Sequence, residues 1–199
     1  MFENYLFVGL NNPQIKYKNT RHNVGAMFLN SLPKLTTWKQ EKILVSEERG
    51  ILIKDKTYSE DYVYSFFPGS GMNSSGKSIQ DIKEQVNPDK MFVFHDDMDL
   101  ELGRVKVKVG GGTAGHNGLK DIIKHGENDF VKIRIGIGRP AEGLSVTEHV
   151  LGDFSKQDFD KLAYVFRSMV SSIHHLLESE FDIFQNKLHL ELKRYLFIK

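Results

Sequence analysis

The chain has 199 residues, with 27 Lys+Arg against 26 Asp+Glu, a net charge of +1, and no cysteine. At roughly 150 residues per domain that length predicts one domain, able to bury roughly 70% of its unfolded surface without covalent staples. The missing cysteines exclude disulfides, thiolate metal sites and cysteine nucleophiles. The balanced charge excludes a uniformly basic nucleic-acid coat but leaves room for a local basic patch. No apolar run approaches the length of about 18 residues that a membrane span needs, and Met1-Phe2-Glu3-Asn4 lacks the basic and apolar regions of a signal peptide. A folded cytoplasmic domain is expected.

Tyr5-Leu6-Phe7-Val8-Gly9 reads as a buried strand, followed by a polar loop containing Asn11-Asn12-Pro13. Val24, Met27, Phe28 and Leu32 have helical spacing, and Pro33 is expected to end that helix. Ile43–Val45, Ile51–Ile53 and Tyr62–Phe67 read as three strands. Ser74 or Ser75 can cap a helix with Ile79, Ile82 and Val86 on its apolar face, stopped by Pro88. Met91–Phe94 is a further buried strand, with a polar loop expected over 95–103. Val105–Val109 alternates, which puts Lys106 and Lys108 on one face. Leu119, Ile122 and Ile123 mark a helix, and Phe130–Ile137 alternates again, with Lys132 and Arg134 sharing a face. The periodicity from Ser155 to Glu180 predicts one long helix, and the tail from Lys187 is an apolar-basic end without a clear pattern. Strands alternating with helices predict an α/β fold, a single three-layer domain with a central twisted mixed sheet flanked by helices.

Four polar segments sit where such folds place their sites, at the carboxyl ends of strands. His22, at a loop-to-helix junction, has the free pKa of a general base, although from position alone a capping or surface histidine is the commoner reading. His95-Asp96-Asp97-Met98-Asp99 puts three carboxylates within four residues. They suit a carboxylate that orients a histidine, a Mg²⁺ or Mn²⁺ site, or a solvated turn. Gly110–Gly118 runs into a helix and lets a ligand or backbone approach closely, but it lacks the Walker and Rossmann spacings. Asn73, in Gly71–Gly76, offers a carboxamide to a peptide-like ligand or caps the next helix. Charge is segregated, with a net of −4 over residues 76–103 and +4 over 104–134. Lys106, Lys108, Lys120, Lys124, Lys132 and Arg134 make the second stretch a phosphate footprint. His125, His149, His174, His175 and His189 have no metal-ligand spacing, and His174 and His175 are expected to point apart.

Taken in order, Val8-Gly9-Leu10-Asn11-Asn12-Pro13, Thr20-Arg21-His22-Asn23-Val24-Gly25, Met72-Asn73-Ser74-Ser75-Gly76, His95-Asp96-Asp97-Met98-Asp99-Leu100, Gly110 through Asp121 and Arg134-Ile135-Gly136-Ile137-Gly138 resemble the bacterial peptidyl-tRNA hydrolase family from end to end. The resemblance implies a cytoplasmic monomer that cleaves the ester joining peptide to tRNA and so recycles the tRNA. It implies no metal, no organic cofactor and no membrane partner. By the same resemblance His22, Asp96 and Asn12 are catalytic, with His22 as general base, Asp96 orienting it and an Asn12 or Asn73 amide facing the oxyanion. Tyr17 and Met72 then form channel walls, Asn73 and Asn117 position the substrate, His116 supports the site, and Lys108 and Arg134 bind the tRNA 5′-phosphate. Segment 139–154 corresponds to a lid loop. The chain departs from the family at Gln14, where glycine is usual, and at Ser70-Gly71, where threonine and an aromatic residue are usual. Two other classes remain, a non-catalytic RNA-binding module and a Mg²⁺-dependent phosphoesterase using Asp96, Asp97 and Asp99.

Overall fold

A computed structural model describes residues 2–46 and 49–198. Seven strands form one mixed sheet: β1 (Asn4–Gly9), β2 (Lys39–Ser46), β3 (Gly50–Lys56), β4 (Tyr62–Pro68), β5 (Lys90–Asp97), β6 (Val105–Val109) and β7 (Val131–Gly136), in the order β2-β3-β4-β1-β5-β7-β6. β4, β1, β5 and β7 pair in parallel, while β2–β3–β4 and β6–β7 pair antiparallel. The helices are α1 (Val24–Leu35), α2 (Ser75–Val86), α3 (Asn117–Lys124), α4 (Val146–Leu151), α5 (Lys156–Ser171), α6 (Ile173–Leu177) and α7 (Phe181–Ile198).

The central strands are apolar throughout because both faces are covered. Phe7, Phe92, Phe94, Ile133 and Ile135 face α1 and α5, with Phe28 and Phe166 packed among them. Leu6, Val8 and Val93 face α2 and α3, where Ile79, Leu119 and Ile122 close a second core. The expected three layers are therefore present. Among the described residues no helix is long and apolar enough to cross a membrane.

Four local expectations are corrected. Pro33 does not end α1, which continues to Leu35. The backbone N–H and hydroxyl of Thr36 both donate to the Leu32 carbonyl at 2.8 Å and close the last turn beyond the proline. β5 does not end at Phe94 but runs through Asp97, paired with β7 along Arg134–Gly136. Asp96 and Asp97 therefore point to opposite faces of the sheet. The long helix over 155–180 is broken at Ser172, where α5 gives way to α6. The hydroxyls of Ser168 and Ser171 bond back to the carbonyls of Tyr164 and Ser168, a competition that loosens helical geometry. The tail is not patternless but forms α7.

α7 lies along the free edge of β6, where its Gln185 Oε1 accepts from the Val107 N–H at 2.9 Å and His189 Nε2–H donates to the Val105 carbonyl at 3.1 Å. Four residues apart, these side chains share one helix face and take the place of an eighth strand.

Candidate active site

The site begins where β1 ends. Asn23, buried, accepts from the Asn12 backbone N–H at 2.8 Å through Oδ1 and donates to the Asn12 carbonyl at 3.0 Å through Nδ2. These two bonds close the loop from 12 to 23 and bring His22 over the end of β5. The sequence reading gave Asn23 no role. Its only signal is an amide placed across a loop from another amide. Gly25 allows the close approach that follows, since a Cβ there would lie 2.1 Å from the Phe94 carbonyl oxygen. The first turn of α1 thus rests directly on β5.

Asp96 projects from the end of β5 between two imidazoles. His22 Nδ1 lies 2.7 Å and His116 Nε2 2.9 Å from the same oxygen, Oδ1. An ionised carboxylate only accepts, so both nitrogens carry protons. The Leu119 N–H points at His116 Nδ1 at 3.4 Å, consistent with that tautomer. Burial alone raises the Asp96 pKa, but His116 and then His22 outweigh it and hold the carboxyl well below the usual range. With Nδ1 engaged, His22 keeps Nε2 for the cavity it lines, a space of about 340 Å³ bordered also by His116, Asn117, Thr147 and Val150. His95 sits underneath, its Nδ1–H donating to the Asp96 carbonyl at 2.8 Å. Burial and the neighbouring His116 push its pKa down to about 3, so the ring is neutral, and its buried Nε2 has no partner.

The amides divide between fixed and free. Asn12 Oδ1 accepts from the Met72 N–H at 3.1 Å, which turns the Asn12 amide nitrogen away from that bond. Met72 itself is buried, against Leu10 and beneath Gly118. Gly71, at φ +86°, turns the chain into Met72, and a Cβ there would touch Asn12 Oδ1 at 3.7 Å and Pro13 at 3.9 Å. Asn73 and Asn117 are exposed and border a separate depression of about 330 Å³ with Lys120, Asp121 and Lys124. Ser74 or Ser75 was expected to cap α2, but neither side chain does. The Gly76 N–H of α2 is met at 2.7 Å by Asp121 of α3. Tyr17 is half-buried in a short 3-10 turn, its ring beneath the Lys16 ammonium. A larger cavity of about 620 Å³ is lined by Asn12, Asn23, Ile51 and Phe67 but not by His22.

The acidic segment does not converge. Asp97 pairs with Arg134 Nε at 2.7 Å and accepts from the Asp99 N–H at 2.9 Å, and Asp99 pairs with Arg139 at 2.5 Å. Asp96, Asp97 and Asp99 thus lack the shared focus that a Mg²⁺-bound phosphoesterase site requires. The donor atoms of His22, Asp96 and His116 do lie within 4.8 Å of one another, but the nitrogens that face the carboxylate carry protons and offer no lone pair. His174 and His175 do not point apart: their rings lie 3.9 Å from centroid to centroid, next to the break between α5 and α6. Lys132, buried, extends its ammonium to the carbonyls of Gly110, Gly111 and Gly112 at 2.7, 2.6 and 3.2 Å and so shapes the glycine segment.

The model of the peptidyl-tRNA hydrolase family matches residues 6–195. The chain belongs to that family. Among peptidyl-tRNA hydrolases, the protein of Hahella chejuensis is 37% identical over 188 residues, covering 92% of this chain and 94% of its own. That of Aliarcobacter butzleri is 36% identical over 94% of this chain and all of its own, 100%. The crystal structure of the Acinetobacter baumannii peptidyl-tRNA hydrolase superposes with a TM-score of 0.79 at 29% identity, over 94% of each chain. The fold agrees with that of the peptidyl-tRNA hydrolases over nearly the whole molecule.

Proposed function

We propose that the chain hydrolyses the ester that joins a peptide to the terminal ribose of tRNA, with His22 as the general base. The observation that carries this is the 2.7 Å bond from His22 Nδ1 to a buried, ionised Asp96, which leaves Nε2 beside the cavity. His22 Nε2 takes a proton from water as its oxygen attacks the ester carbonyl. Asp96 fixes the tautomer and stabilises the imidazolium that forms. As the tetrahedral intermediate collapses, His22 returns the proton to the departing ribose oxygen, and free tRNA and peptide leave.

Of the asparagines, Asn12 is the better oxyanion donor, because the Met72 N–H already holds its oxygen and so orients its amide nitrogen. Losing such a donor costs about 3–4 kcal/mol of transition-state stabilisation. Exposed Asn73 and Asn117 position the peptide backbone, Tyr17 walls the channel, buried Met72 supports it from beneath Gly118, and His116 holds Asp96 from the other side. Lys108 and the free nitrogens of Arg134 take the tRNA 5′-phosphate.

The lid belongs to the exposed stretch 139–147, since the segment beyond it is tied down. Arg21 N–H donates to the Gly152 carbonyl at 3.0 Å, Phe154 N–H to Asn19 at 3.1 Å, and His149 Nε2–H to Gly138 at 2.9 Å. The enzyme acts as a cytoplasmic monomer without a metal or organic cofactor.

The test is release of labelled acyl-peptide from peptidyl-tRNA, with and without EDTA, beside His22→Ala. Metal-independent release that collapses in the variant is expected. Tight tRNA binding without release indicates the RNA-binding module, and loss of release with EDTA overturns the metal-free mechanism.

A further inference from the structure

The polar face of β6 leads away from His22 to cations that the reading above leaves without a role. Antiparallel pairing sets Lys106 opposite Arg134 and Lys108 opposite Lys132, so all four rise from one face of the sheet. Two of the four are already engaged, Arg134 with Asp97 and Lys132 with the glycine carbonyls. Lys108 is exposed and Lys106 is half-buried. Exposed Arg104 stands at the entry to the strand, and across its free edge α7 presents His189 and exposed Lys193. The bonds of Gln185 and His189 to β6 fix α7 there, so these cations belong to one rigid surface. Burial first, then the positive charges of Arg104, Lys106 and Lys193, push the pKa of His189 down, which marks their proximity. The nearby acid Glu191 is occupied by the Tyr164 hydroxyl and by Arg194.

We propose that Arg104 and Lys193, with Lys106 between them and the site, form a second phosphate station that carries the RNA backbone of the substrate from the Lys108–Arg134 face across the sheet edge onto α7. This rests on the peptidyl-tRNA hydrolase reading and extends it to the body of the tRNA. From Lys108 to Arg104 the extended strand runs roughly 13 Å. A nucleic-acid strand places a phosphate about every 3.4 Å of helix axis, so this span faces several of them. Exposed cations spread over a strand edge and a helix suit a continuous polyanion better than a small anion, which would need a closed cradle. The ligand chemistry is the phosphodiester chain, read without base choice.

The test measures binding of uncharged full-length tRNA and of the trinucleotide CCA by fluorescence anisotropy across a salt series. For Arg104→Glu/Lys193→Glu we expect tRNA affinity to fall tenfold or more at low salt, while affinity for the trinucleotide falls less than twofold. The slope of log affinity against log salt should flatten by roughly two. Arg104→Gln/Lys193→Gln removes the charges without adding repulsion and should flatten the slope equally, which covers a failure of the reversed variant to fold. Unchanged tRNA affinity and slope in a variant that melts with the wild type, or equal losses on both ligands, overturns the proposal. A wild-type protein that binds tRNA through these residues but releases no acyl-peptide overturns the hydrolase reading instead and leaves the station standing.

Discussion

A single oxygen of Asp96 serves two imidazoles, and the site turns on that sharing. Asp96→Asn keeps the shape and an oxygen that can still accept, but it loses the negative charge that stabilises the imidazolium, and its NH2 can turn toward His22 and favour the wrong tautomer. We expect kcat on peptidyl-tRNA to fall by about 10³ or more, as when the carboxylate of a His–Asp pair is neutralised. The His22→Ala/Asp96→Asn double variant should be hardly worse than either single change, because the pair acts as a unit. Additive losses in steady-state kinetics would show that the two do not work together. The pair was legible in the sequence through family motifs, since residues 74 positions apart have no local signal of meeting. His116 as a second donor to the same oxygen was not legible, because its tautomer depends on a backbone N–H three residues further along. Asn23 and Lys132 were missed for the same kind of reason. Each acts on backbone groups, the loop at Asn12 and the glycine carbonyls, and backbone partners leave no pattern in side-chain spacing.

Elements hold this geometry through two close approaches. α1 rests on β5 at Gly25, where an added Cβ would lie 2.1 Å from the Phe94 oxygen. Gly25→Ala must therefore shift α1 outward, and we expect a loss of about 1–3 kcal/mol in stability from overpacking. Activity should fall further than the folded fraction does, because His22 moves with the helix. Chemical denaturation beside kcat would reveal the contrary outcome, a stability loss with normal turnover. The second approach is α7 on the edge of β6. Removing one of its two bonds, by Gln185→Ala or His189→Ala, should cost about 1–2 kcal/mol each and raise hydrogen exchange at the Val107 amide in the first case alone. Exchange unchanged in Gln185→Ala would show that the amide is protected otherwise. Helices and strands with a covered face were readable from periodicity. The break at Ser172 and the run of α1 past Pro33 were not, since both depend on bonds to helix carbonyls by Ser168, Ser171 and Thr36. α7 was hidden because the tail taken from Lys187 begins beyond Phe181 and Phe184, so that only part of the face that enters the main core was in view.

Across the molecule the layers and the mixed sheet follow from sequence pattern, whereas the meeting of distant segments at the end of β5 does not. One buried acid away from the site links the fold to pH. Asp55 on β3 is 3% exposed, and burial pushes its pKa up to about 6. An unfolded chain releases that proton near pH 4, so the native state binds more protons between about pH 4 and 6. The contribution of Asp55 to stability is then fullest below pH 4 and is lost as pH rises through about 6. Asp55→Asn should match the wild type at pH 4 and gain up to about 3 kcal/mol by pH 7, two pKa units at about 1.4 kcal/mol each. Equal stability curves for the two proteins across that range would contradict the assignment. The glycine segment beside the site carries a different consequence. The Lys132 ammonium, among three carbonyl oxygens, stands where a dissolved potassium or ammonium ion would sit in a ring of such dipoles. Here the cation is covalently tethered, so exchanging one monovalent salt for another in the medium leaves the shape of the segment as it is.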